Sequence, residues 1–272
     1  MHGVSDGTIS MVASYLVALL GSALGLRCVV RSVRYGNRGK PGWLALGAAA
    51  TGSGVWMMHF ITMVDFSPPG ATITFDVRRT VASLVIAIVV MGIGMFLVGY
   101  GGARPAVLGL SGTVIGLGVA ATHYLGIAAI YVNAIVQYRA PVVIGSVVVA
   151  VGAATAALWS AVSKRGLLSS LIASVVMTVT IVGVHHIAMA SLVLHVQPQA
   201  TSVVQPGSTG VALLPLLIGP GFFLLLAMGA VLFDPLILLG ASDWGLEPSA
   251  PPPPPSENQI SDVYLTYPPA RR

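Results

Sequence analysis

Long apolar runs separated by short polar or basic segments make up the first 240 residues of the chain. A transmembrane helix needs roughly 20 predominantly apolar residues. Many of the runs are rich in valine and glycine, but a bilayer requires backbone polar groups to be paired internally, which favours helices over open strands. The sequence therefore predicts an all-α fold, a polytopic membrane bundle of seven helices. The predicted spans are Thr8–Val30, Trp43–Val64, Thr80–Gly99, Pro105–Val132, Val142–Val162, Leu167–Leu194 and Val211–Leu239.

The composition supports a lipid bilayer as the surroundings of the chain. Hydrophobic residues make up 56% of the sequence and charged residues 8%, whereas a soluble domain carries about 25% charged residues. The net charge of +5 does not indicate nucleic-acid binding, because the basic residues lie between apolar runs rather than on one polar face. The single cysteine, Cys28, excludes an intrachain disulfide bond.

The basic residues predict an orientation in the membrane. If seven helices alternate, three of the 13 basic residues fall on one side, namely Arg78, Arg79 and Arg139. The other side has Arg27, Arg31, Arg34, Arg38, Lys40, Arg104, Lys164, Arg165, Arg271 and Arg272. By the positive-inside rule, we expect a multi-pass plasma (inner) membrane protein with its N-terminus outside and its C-terminus in the cytoplasm.

The sequence changes character after Gly240 and predicts two regions. Residues 1–240 form the seven-helix membrane domain, and residues 241–272 form a proline-rich tail that includes five consecutive prolines, 251–255. Such a segment favours polyproline II conformation without a packed core. We expect a disordered cytoplasmic tail.

Three similar histidine motifs recur in the second, fourth and sixth predicted spans. They read MHFITM at 58–63, THYLGI at 122–127 and VHHIAM at 184–189. Their first histidines are 64 and 62 residues apart, a period of two helices and two loops that indicates an internal repeat. Because each unit contains two helices, the repeats run in the same direction across the membrane.

The repeated positions predict a shared metal site near the outer face. His59, His123 and His185 lie at similar depth, and residues four apart share a helix face, which brings Met63 beside His59 and Met189 beside His185. Ionisable residues within membrane spans generally mark function. Imidazole and thioether ligands suit copper, three imidazoles can also hold zinc, and histidine or methionine can ligate haem. The motifs contain no carboxylate, which argues against magnesium and calcium.

The three motifs resemble those of the MHYT family of bacterial membrane sensor domains, named for a Met-His-Tyr-Thr signature. The likeness covers approximately residues 8–239. The motifs depart from the family pattern at four positions: Thr122, Ile127 and Val184 stand where the family commonly has Met, and His186 stands at the aromatic position. The resemblance implies a copper ion bound by the histidines and methionines, which senses oxygen, carbon monoxide or nitric oxide. Many family members carry cytoplasmic cyclic-dinucleotide or kinase domains. We expect this chain to signal instead through a separate cytoplasmic protein.

Other classes of function remain open at this point. A small metal or solute transporter would share the same-direction repeats, and a haem protein would share the histidines. A purely structural partner of another membrane protein would need neither. The sequence contains no nucleophile–base pair or phosphate-binding loop, so we do not predict an enzyme.

Overall fold

The computed structural model describes residues 4–34, 39–64, 73–132, 134–163, 167–196 and 209–233. Its described part contains seven helices, all long and apolar enough to cross a bilayer, and four short strands. The helices are α1 (Val4–Arg34), α2 (Lys40–Val64), α3 (Val77–Gly101), α4 (Pro105–Ala128), α5 (Ala140–Ser163), α6 (Leu167–Ala190) and α7 (Thr209–Leu232). The strands are β1 (Ile73–Phe75), β2 (Ile130–Val132), β3 (Ala134–Tyr138) and β4 (Leu192–Val196).

The predicted seven-helix bundle is confirmed, but two predicted helix ends are wrong. We predicted that α4 continues to Val132 and α6 to Leu194, whereas they end at Ala128 and Ala190. The residues that follow each end pair instead as strands, a conformation that suits the β-branched and aromatic side chains among them. The end of the seventh predicted span and the predicted tail, 241–272, lie outside the described residues.

Helix α2 lies at the centre of the bundle. It packs against α1, α3 and α7 and also contacts α4 and α6. Small residues allow this close packing: Gly21 of α1 and Gly54 of α2 approach so closely that a Cβ on Gly21 would lie 2.8 Å from the Cα of Gly54. The outer helices instead expose rows of large apolar side chains, such as Val85, Val89 and Ile93 of α3. These rows form the lipid-facing surface.

The repeat of the sequence is also a repeat of packing contacts. On α2, a Cβ added to Gly52 would meet the backbone of Ile88 of α3, and on α4, a Cβ added to Gly116 would overlap the backbone of Val151 of α5. The two glycines are 64 residues apart and their contacts 63 residues apart. The pair α2–α3 is therefore equivalent to the pair α4–α5.

Two small sheets lie at the end of the bundle where α2, α4 and α6 finish, here called the histidine end. Strands β1 and β2 form one antiparallel pair, and β3 and β4 form the other. Beside the first pair, the backbone N–H of Asp76 donates to the carbonyl of Ala129 (2.8 Å); beside the second, the N–H of Arg139 donates to Ser191 (2.9 Å). Each bond connects the end of an even-numbered helix to the residue just before an odd-numbered one.

Candidate metal centre

The three repeated histidines occupy the same position in three helices. His59 of α2, His123 of α4 and His185 of α6 each lie five residues before the last residue of their helix. All three side chains are buried, with 2%, 4% and 5% of their surface exposed. The predicted convergence of the three imidazoles at one depth is present in the structure.

The Nδ1 atoms of the three rings face one another. Nδ1 of His59 lies 3.2 Å from Nδ1 of His123 and 3.3 Å from Nδ1 of His185. Each residue offers one ring nitrogen to a group whose atoms all lie within 4.8 Å of one another. Ring centroids are 4.8 to 5.3 Å apart, and the rings meet edge to face.

Thr62 of α2 forms a hydrogen bond with His185. Its hydroxyl has one hydrogen, which it donates to the carbonyl of its own helix at His59 (2.7 Å). With the hydroxyl hydrogen directed to that carbonyl, the hydroxyl oxygen, 3.0 Å from Nε2 of His185, accepts a hydrogen bond from that nitrogen. Because a neutral imidazole has only one N–H, Nδ1 of His185 presents a lone pair to the cluster.

Hydrogen bonding within the described residues leaves the cluster unsatisfied. Nε2 of His59 and Nε2 of His123 are buried and have no hydrogen-bond partner there. If these nitrogens carry the protons, two N–H groups lack acceptors. If Nδ1 carries them instead, two N–H groups compete for the single lone pair of His185. With one proton on Nδ1 and the other on Nε2, one buried N–H still lacks an acceptor and one Nε2 lone pair lacks a donor. A cation among the three Nδ1 atoms would give those three lone pairs a common partner, so the residues fit a metal ion, with Nε2–H of His59 and His123 still without acceptors among the described residues.

Gly126 of α4 makes room for the His59 ring. A Cβ at this position would overlap Nε2 of His59. Gly126 and Thr62 occupy the same place in their motifs, three residues after the histidine. This position therefore contacts a histidine of another helix in two of the three repeats. The three motifs have a small or hydroxyl residue at this position, but the sequence alone assigns it no role.

A cavity of about 10 Å³ adjoins the three rings. Its lining consists of three equivalent positions from each of α2, α4 and α6: the histidine, the residue before it and the residue four before it. The lining residues are Val55, Met58, His59, Val119, Thr122, His123, Ile181, Val184 and His185. Met58 contributes the one thioether of this lining. The first methionine of MHFITM was missed as a candidate ligand.

The two methionines predicted as ligands lie elsewhere in the motifs. Met63 is buried, with 2% of its surface exposed, and Met189 is half-buried. Neither belongs to the residues that line the cavity. Their role as ligands stays a prediction, whereas Met58 is in position beside the histidines.

The residue after each histidine contacts it at an angle. Phe60 meets the His59 ring edge to face at 4.9 Å, and Tyr124 meets the His123 ring at 5.2 Å. The Tyr124 hydroxyl forms a hydrogen bond with Ser146 of α5 (3.1 Å). In the third motif, the exposed His186 donates from Nδ1 to the carbonyl of Val182 in its own helix (2.8 Å). These residues support the ring orientations without entering the cavity.

The fold and the cluster define a membrane helix bundle with three buried histidines on equivalent helices. The family model described as "Bacterial signalling protein N terminal repeat", MHYT, matches residues 52–111 and 116–174. These residues belong to the MHYT family, which confirms the resemblance for the first two motifs. The two matches contain His59 and His123, and the structure adds His185 from outside the matched residues.

Several bacterial signalling proteins are similar to this chain. The bifunctional diguanylate cyclase/cyclic di-GMP phosphodiesterase MucR of Pseudomonas aeruginosa is 35% identical over 193 residues, which are 69% of this chain and 28% of that protein. The cyclic di-GMP phosphodiesterase NbdA of the same species is 36% identical over 162 residues, 57% of this chain and 20% of NbdA. An uncharacterized signaling protein of Caulobacter vibrioides is 32% identical over 212 residues, 77% of this chain and 25% of the relative.

The chain spans about a quarter of the length of these relatives. No solved structure matches it. Together, the family match and the seven apolar helices identify a signalling domain of a multi-pass bacterial membrane protein.

Proposed function

We propose that this domain is a membrane sensor that binds a copper ion through His59, His123 and His185. The observation that carries the proposal is the approach of three buried imidazoles to one another through their Nδ1 atoms. Metal–imidazole bonds of about 2.0 Å place the nitrogens of a trigonal site about 3.5 Å apart, close to the observed 3.2 and 3.3 Å. Met58 supplies a nearby thioether.

The charge of the site favours a monovalent ion. All acidic residues of the chain lie before residue 77 or after residue 233, so α3 to α7 contain no carboxylate. A buried cation without a compensating charge is costly, and the cost rises with the charge of the ion. Imidazole and thioether together are ligands that suit Cu(I). These arguments support copper over zinc.

The dimensions of the site support a metal ion over haem. A porphyrin ligated by two histidines would have to lie between their rings. The cavity beside the rings measures about 10 Å³, and the facing nitrogens are 3.2 Å apart. Haem would require the even-numbered helices to separate.

A copper(I) ion held by the three imidazoles would offer a further binding position to oxygen, carbon monoxide or nitric oxide. Binding of one of these gases at the ion would make the cluster a gas sensor. Binding of such a ligand would change the arrangement of α2, α4 and α6. The hydrogen bonds at Ala129 and Ser191 connect α4 to α3 and α6 to α5. Two relatives are named for making or degrading cyclic di-GMP. We infer that the signal controls an activity of this kind, in the same protein or in a separate cytoplasmic partner.

The distribution of basic residues supports the proposed orientation. Arg78, Arg79 and Arg139 lie at the histidine end, at the starts of α3 and α5. The described basic residues at the opposite end are more numerous: Arg27, Arg31, Arg34, Lys40 and Arg104. By the positive-inside rule, the histidine end faces the outside and the opposite end faces the cytoplasm.

Metal analysis of the purified protein tests this function. We expect about one copper per chain by mass spectrometry, since a single cluster provides all the ligands, and loss of copper in His59→Ala and His185→Ala. Ile187→Ala is the matched control, because it changes an exposed side chain of the same helix that does not line the cavity. Absence of copper from the wild-type protein after growth with added copper, or a strong Soret band, contradicts the proposal.

A further inference from the structure

A second cavity, of about 20 Å³, lies between α4, α5 and α6. Its lining is apolar apart from one threonine, and the hydroxyl of that residue, Thr180, already donates to the carbonyl of Val176 in its own helix (2.8 Å). The lining residues are Ile115, Val119, Ala150, Ala153, Ala154, Met177, Thr180, Ile181 and Val184. A water molecule needs two or more polar partners to be stable in a cavity. This cavity offers space for a small molecule but little to hold water.

The apolar cavity adjoins the histidine site. Val119, Ile181 and Val184 line both cavities. These residues lie on the same helices as His123 and His185, at positions one and four residues before the histidine. The side chains of these three residues, which line both cavities, therefore separate a molecule in the apolar cavity from the imidazoles.

The cavity also approaches the lipid-facing surface. Two of its lining residues, Ala153 of α5 and Thr180 of α6, are half-buried. Their neighbours Gly152 and Val179 are exposed to the lipid side. The line of contact between α5 and α6 thus forms the boundary between this space and the bilayer.

The equivalent place in the preceding repeat is filled. The matching contacts of Ile88 and Val151 align α3 with α5 at a separation of 63 residues, which places Val90 and Met91 of α3 at the positions of Ala153 and Ala154. Val90 packs so tightly on Gly118 that an added Cβ there would overlap it, and Met91 is fully buried. Helix α5 thus has small residues where α3 has larger ones.

We propose that this cavity is a docking site for a small uncharged diatomic gas, which reaches it from the lipid between α5 and α6. The volume, the apolar lining and the position beside the histidines together select such an occupant, since apolar solutes favour apolar surroundings over water. Transfer of the docked gas to the histidine cluster rests on the proposed function as a metal-binding sensor. The docking site itself can exist without a bound metal.

Xenon is a suitable probe, because it binds apolar cavities without needing a metal. The full chain in detergent micelles, labelled at isoleucine δ1 methyl groups, is titrated with xenon and observed by NMR. We expect saturable shifts of Ile115 and Ile181, which line the cavity, and a linear shift of the lipid-facing Ile93. The saturable shifts should disappear in the double variant Ala153→Val/Ala154→Met, which copies the residues of α3.

Ala156→Ile is the matched control. This variant also introduces the residue that α3 has at the equivalent position, Ile93. Because Ala156 lies on the exposed face of α5, away from the cavity, the saturable shifts should persist. The single variant Ala153→Val should reduce them without altering the buried core. Linear shifts at Ile115 and Ile181 in the wild-type protein, or saturable shifts that survive the double variant, overturn the docking site. Saturable shifts in a protein that binds no copper support the docking site and contradict the copper sensor.

Discussion

Nδ1 of His59 lies 3.2 Å from Nδ1 of His123, although 64 residues of chain separate the two rings. The internal repeat explains this proximity, because it places one histidine at the same depth on α2, α4 and α6. Since α2 is the central helix, its histidine contacts both of the others. Substitutions around this pair can therefore separate ligand roles from packing roles.

Met58 and Met63 give the clearest separation of ligand positions. We expect Met58→Leu to weaken copper(I) binding, because it removes the thioether of the cavity lining while keeping a buried side chain of similar size. Met63→Leu should change copper binding less. Competition with a copper(I) chelator measures both affinities, and a larger loss in Met63→Leu would restore the prediction from the sequence.

Thr62→Val tests the hydrogen bond that holds His185. The variant removes the hydroxyl that bonds Nε2 of His185, and loss of such a supporting bond lowers metal affinity by about 10- to 100-fold. Thr62→Ser should restore binding. Thr113→Val is the control, because the Thr113 hydroxyl donates only within its own helix, to Gly109 (2.8 Å). Equal copper affinity in Thr62→Val and the wild-type protein would contradict this role.

Gly126→Ala should disrupt the cluster through shape alone. The new methyl group would overlap the His59 ring, and overpacking of this kind costs about 1 to 3 kcal/mol. Gly109→Ala in the same helix has no atom within 4 Å of the added Cβ, so it should leave stability unchanged or raise it by about 0.5 to 1 kcal/mol. Thermal unfolding in detergent and copper content measure the two effects. Similar behaviour of both variants would show that the predicted overlap relaxes without cost.

Asp76 gives the histidine end a pH-dependent contribution to stability. The backbone N–H of Arg79, with the Tyr131 hydroxyl and the N–H of Arg78, holds the pKa of Asp76 below its ordinary value. Because the folded protein favours the carboxylate, this contribution is complete above the ordinary pKa of about 3.9. It is lost as the pH falls through the lower pKa of the folded state.

Asp76→Asn separates the charge from the cap. Asparagine caps a helix N-terminus about as well as aspartate, so the variant keeps the bonds to α3 and loses the titration. We expect the melting temperature of the wild-type protein to exceed that of the variant at neutral pH, and the difference to shrink in acid. A difference that is constant from about pH 7 to about pH 3 would contradict the assignment.

Cysteine labelling tests the orientation of the membrane domain. Gln137 lies exposed on β3 at the histidine end, and Ala103 lies exposed at the opposite end between α3 and α4. The native Cys28 is buried and should give little background. In bacterial spheroplasts, a membrane-impermeant maleimide should label Gln137→Cys directly and Ala103→Cys only after lysis. The reverse pattern would invert the proposed topology.

The spans could be predicted because each requires only local information. Lipid enforces helices wherever about 20 apolar residues follow one another, and this rule gave all seven. It could not locate the ends of α4 and α6, since Ile130–Val132 and Leu192–Val196 are as apolar as the helices before them. Their strand conformation depends on partners distant in the sequence, Ile73–Phe75 and Ala134–Tyr138.

The three histidines could be predicted because a repeat imposes equal depth and direction. The helical spacing rule also placed Met63 and Met189 on the histidine faces, but it could not say which residues of that face turn towards the other two helices. In the structure, the cavity is lined by the residues one and four before each histidine. The choice depends on the rotation of each helix, which close contacts such as Gly52–Ile88 determine.

The two backbone hydrogen bonds at the histidine end, from Asp76 to Ala129 and from Arg139 to Ser191, limit how the cluster can move. Each even-numbered helix that they join finishes only a few residues beyond its histidine. A shift of His123 or His185 along its helix axis would pull on the first turn of α3 or α5. Main-chain hydrogen bonds therefore tie the ends of the two helices that carry these rings to the starts of the lipid-exposed helices α3 and α5.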